Sequence, residues 1–462
     1  MSQPTTWVGG ENVALLTDLY QLTMAEAYWR EGMTASATFS LFVRRLPPSR
    51  NYILACGLED ALAYLESLRF SSGCLGHLER LNRFAPDFLR CLESFRFQGE
   101  VDAVAEGTPL FAGEPLLEVT ASLPQAQLVE SALINQVHLQ TVMASKAARV
   151  VQAARGRPVI DFGLRRMHGA DAALRAVRAF AIAGVDGTSH VLAGSLYGLP
   201  VKGTMAHSYV QAHRSEKEAF RAFAAHRPGA VLLVDTYDLA RGVQQVVDLA
   251  RDMKSGFRIS AVRLDSGDLA AGAREARRIL DAGGLPQVRI VASGDLDEWA
   301  IARLLEEHAP VDAFGVGTRM GVSEDAPALE MVYKMTRYAG RGRVKLSRGK
   351  AILPGRKQVF RQVREGRVVQ DILARREEQV DGQPLLFPVM KGGRRSPSLR
   401  GGLAAARERA RSSIAALPGA IQALQPAVPP FPVQVSAGLA AALSEISRSL
   451  GRGNGDTGTK LA

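Results

Sequence analysis

His207, within VKGTMAHSYV, follows a short apolar segment and has hydroxyls on both sides, at Thr204 and Ser208. A reactive imidazole needs a carboxylate to fix its tautomer and stabilise its cation, and Asp235, which ends the next apolar segment, is placed to supply one. In RLDSGD, Arg263 and Asp265 close a further segment side by side. The cation suits a carboxylate or phosphate, and the carboxylate suits sugar hydroxyls or a hydrated metal ion. Downstream, SGD at Ser293 and GVGT at Gly315 are glycine-containing turns whose backbone N–H groups can converge on a phosphate. Each turn is common by itself; their occurrence on consecutive segments carries the information.

These residues need elements that bring them together. The apolar segments PVIDFG, PVKGTM, AVLLVDTYD, SAVRLDSGD, VRIVASGD and AFGVGT alternate with amphipathic stretches such as ADAALRAVRAFAIAG, DLARGVQQVVDLARDM and LAAGAREARRILDAGG. Strand then helix, repeated, predicts parallel strands with helical crossovers. Every segment ends in small and polar residues: Asp161 to Gly163, Thr204 to Ser208, Asp235 to Asp238, Asp265 to Asp268, Ser293 to Asp295 and Gly315 to Thr318. Some of these must serve only as turns and helix N-caps. Six in succession read instead as the C-terminal rim of a β/α barrel, where such barrels carry their sites.

The preceding stretch mixes a helix, Asp18 to Glu31, with strand-like alternation in SATFSLFVRRL and VDAVAEGTPLFAGEPLLEVTA, and a long helical run extends from Ser131 to Ala154. Strands return in VYKMTRY, RVKLSRGKAILP and KQVFRQV, followed by a helix near Ala404 that should pack back on the core. The expected architecture is α/β: an N-terminal α+β domain (1–130), an irregular β/α barrel (131–340), a C-terminal strand hairpin and helices completing the N-terminal unit (341–450), and a disordered tail (451–462).

Composition narrows the function. The 462 residues are 47% hydrophobic and 22% charged, which excludes a disordered or collagen-like chain. Cys56, Cys74 and Cys91 form no CxxC and favour a reducing compartment without a cysteine-based zinc site. The N-terminus has no signal-like pattern and no long apolar run occurs, so the expected location is cytoplasmic, with no membrane partner. The net charge of +11 is spread among acids, with only KGGRR at Lys391 forming a patch, and favours a solvated basic surface or a site for small phosphorylated substrates over nucleic acid.

TDLYQ at Thr17, DFGLRR at Asp161, GTS at Gly187, GTMAHS at Gly203, DTYD at Asp235, RLDSGD at Arg263, SGD at Ser293 and GVGT at Gly315 together resemble the nicotinate phosphoribosyltransferase family in order and spacing. The likeness runs from about Leu15 to Arg361 and includes KLSRGKAILPGRKQVFR. It implies an enzyme of NAD biosynthesis and salvage that joins nicotinate to 5-phosphoribosyl 1-diphosphate, releases diphosphate, and couples this to ATP hydrolysis with Mg²⁺. It also implies a homodimer whose sites draw on both subunits.

By position, the resemblance makes His207 the histidine that ATP phosphorylates and Asp235 its carboxylate partner. Phe162 and Tyr20 would sandwich the pyridine ring, Tyr20 arriving from the other subunit; Ser189, Thr204, Ser208 and Arg263 would complete the nicotinate site. Arg165, Asp265, Gly294, Asp295, Gly315, Gly317 and Thr318 would hold phosphoribosyl diphosphate; the residues for Mg²⁺ stay unassigned. Related nicotinamide enzymes carry an Asp where this chain has Ser189, so a hydroxyl there, able to donate to a carboxylate, predicts nicotinate over nicotinamide.

Two alternatives stand beside this reading: a quinolinate phosphoribosyltransferase, which uses no ATP, and a barrel that binds phosphorylated ligands or nucleic acid without catalysis. His168, His190 and His213 are read as surface or supporting residues, and Lys345, Lys350 and Lys357 as solvated lysines on a hairpin.

Overall fold

The computed structural model describes residues 8–347, 352–396 and 401–450, so Lys350 and the tail after Leu450 lie outside the described residues. The chain forms two compact units. One is Met143–Pro327; the other joins the residues up to Val142 to those from Ala328 onward.

The Met143–Pro327 unit is built on six parallel strands, in the order Gly187–Thr188, Val159–Asp161, Ala313–Val316, Arg289–Ala292, Ala261–Leu264 and Val231–Leu233. Helices Ala170–Ala183, Leu239–Met253, Leu269–Ala282 and Glu298–Glu306 connect them, each burying an apolar stripe. In Leu239–Met253 that stripe is Val243, Val246, Val247 and Leu249, the spacing of one helix face. The result is an irregular β/α half-barrel. One segment departs from expectation: PVKGTM is not a strand, and only Val201 bridges to Thr188. The short Gly187–Thr188 strand takes its place at the sheet edge, because a segment so rich in Gly and Thr, with a single Val, has little side chain to bury.

The other unit centres on a seven-stranded sheet ordered Arg341–Gly342, Met331–Tyr338, Ser36–Val43, Pro115–Ser122, Glu100–Val104, Leu386–Lys391 and Arg394–Arg395. The hairpin Lys357–Arg364 and Arg367–Arg375 lies in a second sheet with Gln383–Pro384 and Val433–Val435. The C-terminal segment packs back on the N-terminal one: Leu417, Ile421 and Phe431 share a core with Tyr52 and Phe111, and the Phe111 and Phe431 rings stack at 3.8 Å. Lys357 is not solvated as expected. Its ammonium is buried 2.9 Å from the Glu118 carboxylate, because the hairpin is covered on the face that bears it. Lys345 is exposed.

The barrel unit is narrower than the 131–340 span expected. Ser131 to Val142 is the first half of the helix Glu130–Ala153, and Met331–Tyr338 pairs along Ser36–Val43. Among the described residues no helix is long and apolar enough to cross a membrane.

Candidate active site

The strand ends separate capping residues from the rest. Asp238, Asp268 and Asp297 accept hydrogen bonds from the first-turn N–H groups of the helices that follow and are N-caps. Asp161, Asp235 and Asp265 cap nothing; they hold one another's loops and the neighbouring side chains.

Asp161 is fully buried at the end of its strand. Its carboxylate accepts from the Thr188 hydroxyl at 2.6 Å and from the Gly163 N–H at 2.8 Å, and its carbonyl accepts from the Ser189 N–H at 2.8 Å. Burial raises its pKa despite those two donors. DFG and GTS are thus fastened together, with Phe162 and Ser189 following on adjacent strands. The Phe162 N–H donates to Val316, and its ring lies over Gly315, where a Cβ would come within 2.5 Å of it. Glycine at 315 is what lets the ring rest there.

Arg263 and Thr204 form a second wall. The guanidinium Nη1 donates to the Thr204 hydroxyl at 2.6 Å, its Nη2 lies 4.0 Å from Asp265 Oδ1, and its buried Nε has no partner among the described residues. Burial lowers its pKa, with Arg165 a minor contributor in the same direction. Arg165 itself is exposed on the turn after Phe162, and Ser208 is exposed one residue beyond His207.

The third wall holds the imidazole. His207 Nδ1 lies 3.1 Å from the Thr236 hydroxyl, and Nε2 lies 3.8 Å from Asp265 Oδ2. This corrects the pairing read from sequence. Asp235 turns its Oδ2 to the Asp265 N–H at 2.7 Å and the Ser266 hydroxyl at 2.8 Å, so it braces the next loop and leaves Asp265 as the carboxylate closest to the ring. Its Oδ1 is buried without a partner among the described residues. Sequence order put Asp235 nearer; the backbone of RLDSGD intercepts it. Thr236, Ser266 and Ser293, which lie within the motifs DTYD, RLDSGD and SGD, join the cluster through their hydroxyls, and hydroxyls next to the candidate residues are the only signal of them in sequence.

Asp265 also accepts from the Ser293 hydroxyl at 2.5 Å. The glycine after it, Gly294, has φ +88°, and a Cβ there would stand 2.0 Å from the Asp265 carbonyl, so the two turns touch through backbone. Asp295 is exposed at φ +48°. Gly317 and Thr318 open the turn after the neighbouring strand, and Arg319 ties that turn to Asp297 at 2.8 Å.

Tyr20 lies in the other unit, half-exposed on the helix Leu19–Arg30, with its pKa raised by burial and by Glu130 and Asp18. His190 is buried beside Thr188, His213 bonds to the Tyr209 carbonyl at 2.8 Å, and His168 is exposed, which leaves His207 as the histidine set among the strand-end acids.

Family and structural comparisons agree with one another. Residues 15–138 match the model of the nicotinate phosphoribosyltransferase N-terminal domain, and residues 158–358 match that of the nicotinate phosphoribosyltransferase family. A nicotinate phosphoribosyltransferase of Mycobacterium tuberculosis is 51% identical over 427 residues, 92% of this chain and 91% of that protein. One from Bacillus subtilis is 39% identical over 386 residues, 81% of this chain and 79% of its own. The crystal structure of human nicotinic acid phosphoribosyltransferase superimposes with a TM-score of 0.83 at 30% identity, covering 93% of this chain and 99% of that one.

Proposed function

We infer the chemistry from one premise: the chain belongs to the nicotinate phosphoribosyltransferase family. It is accordingly an enzyme of NAD biosynthesis that forms nicotinate mononucleotide and diphosphate from nicotinate and 5-phosphoribosyl 1-diphosphate. We propose that the strand-end cluster is where this happens. The observation that carries the assignment is the convergence of Arg263, Asp265 and His207 within 4.0 Å of one another's side chains along two links, on a parallel sheet's C-terminal rim.

Displacing diphosphate from an anomeric carbon passes through an oxocarbenium-like state, so the site must align the pyridine nitrogen and neutralise the departing phosphates. Phe162 offers its face to the ring, with Tyr20 of a second subunit opposite it. Ser189, Thr204, Ser208 and Arg263 address the nicotinate carboxylate. A half-buried guanidinium held by Thr204 meets a carboxylate without having to reorganise. Asp265 takes the ribose hydroxyls, and the turns carrying Gly294, Asp295, Gly315, Gly317 and Thr318, together with Arg165, take the phosphates.

Mg²⁺ suits this donor set. The partnerless buried oxygen of Asp235 and the nearby Asp265 provide the one or two carboxylates that such an ion uses alongside substrate phosphates. When bound it would offset negative charge developing on the diphosphate. ATP is the co-substrate in this reading and phosphorylates His207; Thr236 orients the ring, and Asp265 stabilises its cation. The working form is a cytoplasmic homodimer with shared sites, without nucleic acid or membrane partners.

The test of the His207 assignment is ATP coupling in His207→Ala. Basal transfer should persist while ATP hydrolysis and its stimulation of transfer disappear. A mutant that still hydrolyses ATP and is fully stimulated removes His207 from the mechanism.

A further inference from the structure

A cavity of about 880 Å³ lies wholly within the unit that contains the chain's two ends, under the helix Ala437–Ser449 and beside the strand pair Met331–Tyr338 and Arg341–Gly342. Six arginines line it: Arg337, Arg341, Arg343, Arg356, Arg375 and Arg376. None of these belongs to the residues assigned above to nicotinate or phosphoribosyl diphosphate.

The charges are incompletely balanced. Asp102 is shared by Arg356 and Arg376, each at 2.7 Å; Glu100 lies 3.6 Å from Arg356, and Glu377 pairs with Arg375. Arg337, Arg341 and Arg343 form no ion pair with any carboxylate among the described residues; Arg343 packs over the Tyr338 ring at 5.6 Å. One further carboxylate, Glu445, also lines the cavity. Of the residues that line the cavity, six are arginines and two, Glu377 and Glu445, are acids. Arg337, Arg341 and Arg343, three arginines without a carboxylate partner around one cavity, are a recognition surface for an anion with several acceptor oxygens.

We propose that this cavity is a second anion site, which takes a ligand carrying two or more adjacent phosphates. Its volume lies within the range of small-molecule sites and exceeds what one phosphate fills. The arginine fork matches phosphate oxygens two at a time, and the spread of arginines without a carboxylate partner along a strand pair suits a chain of phosphates better than a single one. The shared chemistry, a phosphate chain, comes either from free polyphosphate or from a nucleotide.

Calorimetric titration of the full chain with tripolyphosphate, ATP and adenosine separates these sources. Wild type and Arg263→Gln should show the site, and Arg337→Gln/Arg341→Gln/Arg343→Gln should lose one tripolyphosphate site per chain, by tenfold or more in affinity. Binding should weaken as salt is raised. Nicotinate turnover measured without added polyphosphate should be retained by the triple variant, which also reports that it is folded. Equal binding of tripolyphosphate and ATP assigns the phosphate chain alone; tighter ATP binding assigns a nucleotide. Should the triple variant fold poorly, Arg341→Glu, which reverses a single charge, is expected to weaken the same site by at least as much. An active triple variant, or Arg341→Glu, that binds tripolyphosphate with wild-type stoichiometry and affinity overturns the proposal, as does adenosine binding as tightly as ATP.

Discussion

His207 is held from two strands at once, by the Thr236 hydroxyl at 3.1 Å and by the Asp265 carboxylate at 3.8 Å. Its place among strand-end hydroxyls and acids could be read from the residue types around it, but its neighbouring carboxylate could not. Which aspartate faces the ring depends on where the RLDSGD backbone passes, and the Asp265 N–H captures Asp235 first. Thr236→Val removes the hydrogen bond to Nδ1, worth about 1 kcal/mol, so ATP-stimulated transfer should fall several-fold while basal transfer changes little; equal losses in both would contradict an orienting role. In the proposed reading selectivity rests on Ser189, whose N–H is anchored to Asp161 so that the residue sits at a fixed strand end. Ser189→Asp should cut kcat/KM for nicotinate by tenfold or more, about 1.4 kcal/mol, and narrow the gap to nicotinamide. Selectivity unchanged in that variant would refute the assignment.

At the scale of elements, the alternation of apolar and amphipathic segments was enough to give the parallel sheet and its crossover helices, since each periodicity has one buried face. PVKGTM escaped because a single bridge is all its small residues support. Also invisible was a buried ion cluster that ties the two late turns together. Lys146 donates to Glu298 at 2.5 Å and Asp325 at 2.7 Å, and Arg149 donates to Glu298 at 2.8 Å. Glu298 follows the Gly294 turn and Asp325 follows the Thr318 turn, and contacts so far apart in sequence leave no local signal. Lys146→Met removes the buried ammonium that bridges Glu298 and Asp325 and should destabilise the fold by about 3 kcal/mol, with a raised KM for phosphoribosyl diphosphate in whatever remains folded; unchanged thermal unfolding would refute the role. Glu216, at the start of the helix Glu216–His226, has a partnerless carboxyl oxygen, and burial pushes its pKa up to about 7. The folded state then binds more protons than the unfolded one between the ordinary glutamate range and pH 7, so this residue's contribution to stability declines as pH rises across that window. Glu216→Gln should flatten the fall in melting temperature between pH 5 and pH 8. A wild-type slope in that variant would show that other groups set it.

For the molecule as a whole, the return of the C-terminal segment to the N-terminal unit was legible as strand periodicity, but its burial was not. Lys357 looks solvated in sequence, yet it is covered and neutralised by Glu118, as its strand neighbour Arg361 is by Asp371. Charge alone suggested water because the carboxylate lies 239 residues away for Lys357. Similarly, the unit boundary fell within a continuous helix, where composition does not change. What the sequence and the strand-end geometry support jointly is a transferase specific for nicotinate. The most direct test is to quantify pyridine mononucleotide formed from nicotinate, nicotinamide or quinolinate in separate reactions with phosphoribosyl diphosphate and Mg²⁺, with and without ATP. The account predicts product from nicotinate, accelerated by ATP, and little from the other two. No product from nicotinate, or efficient ATP-independent product from quinolinate, would contradict it.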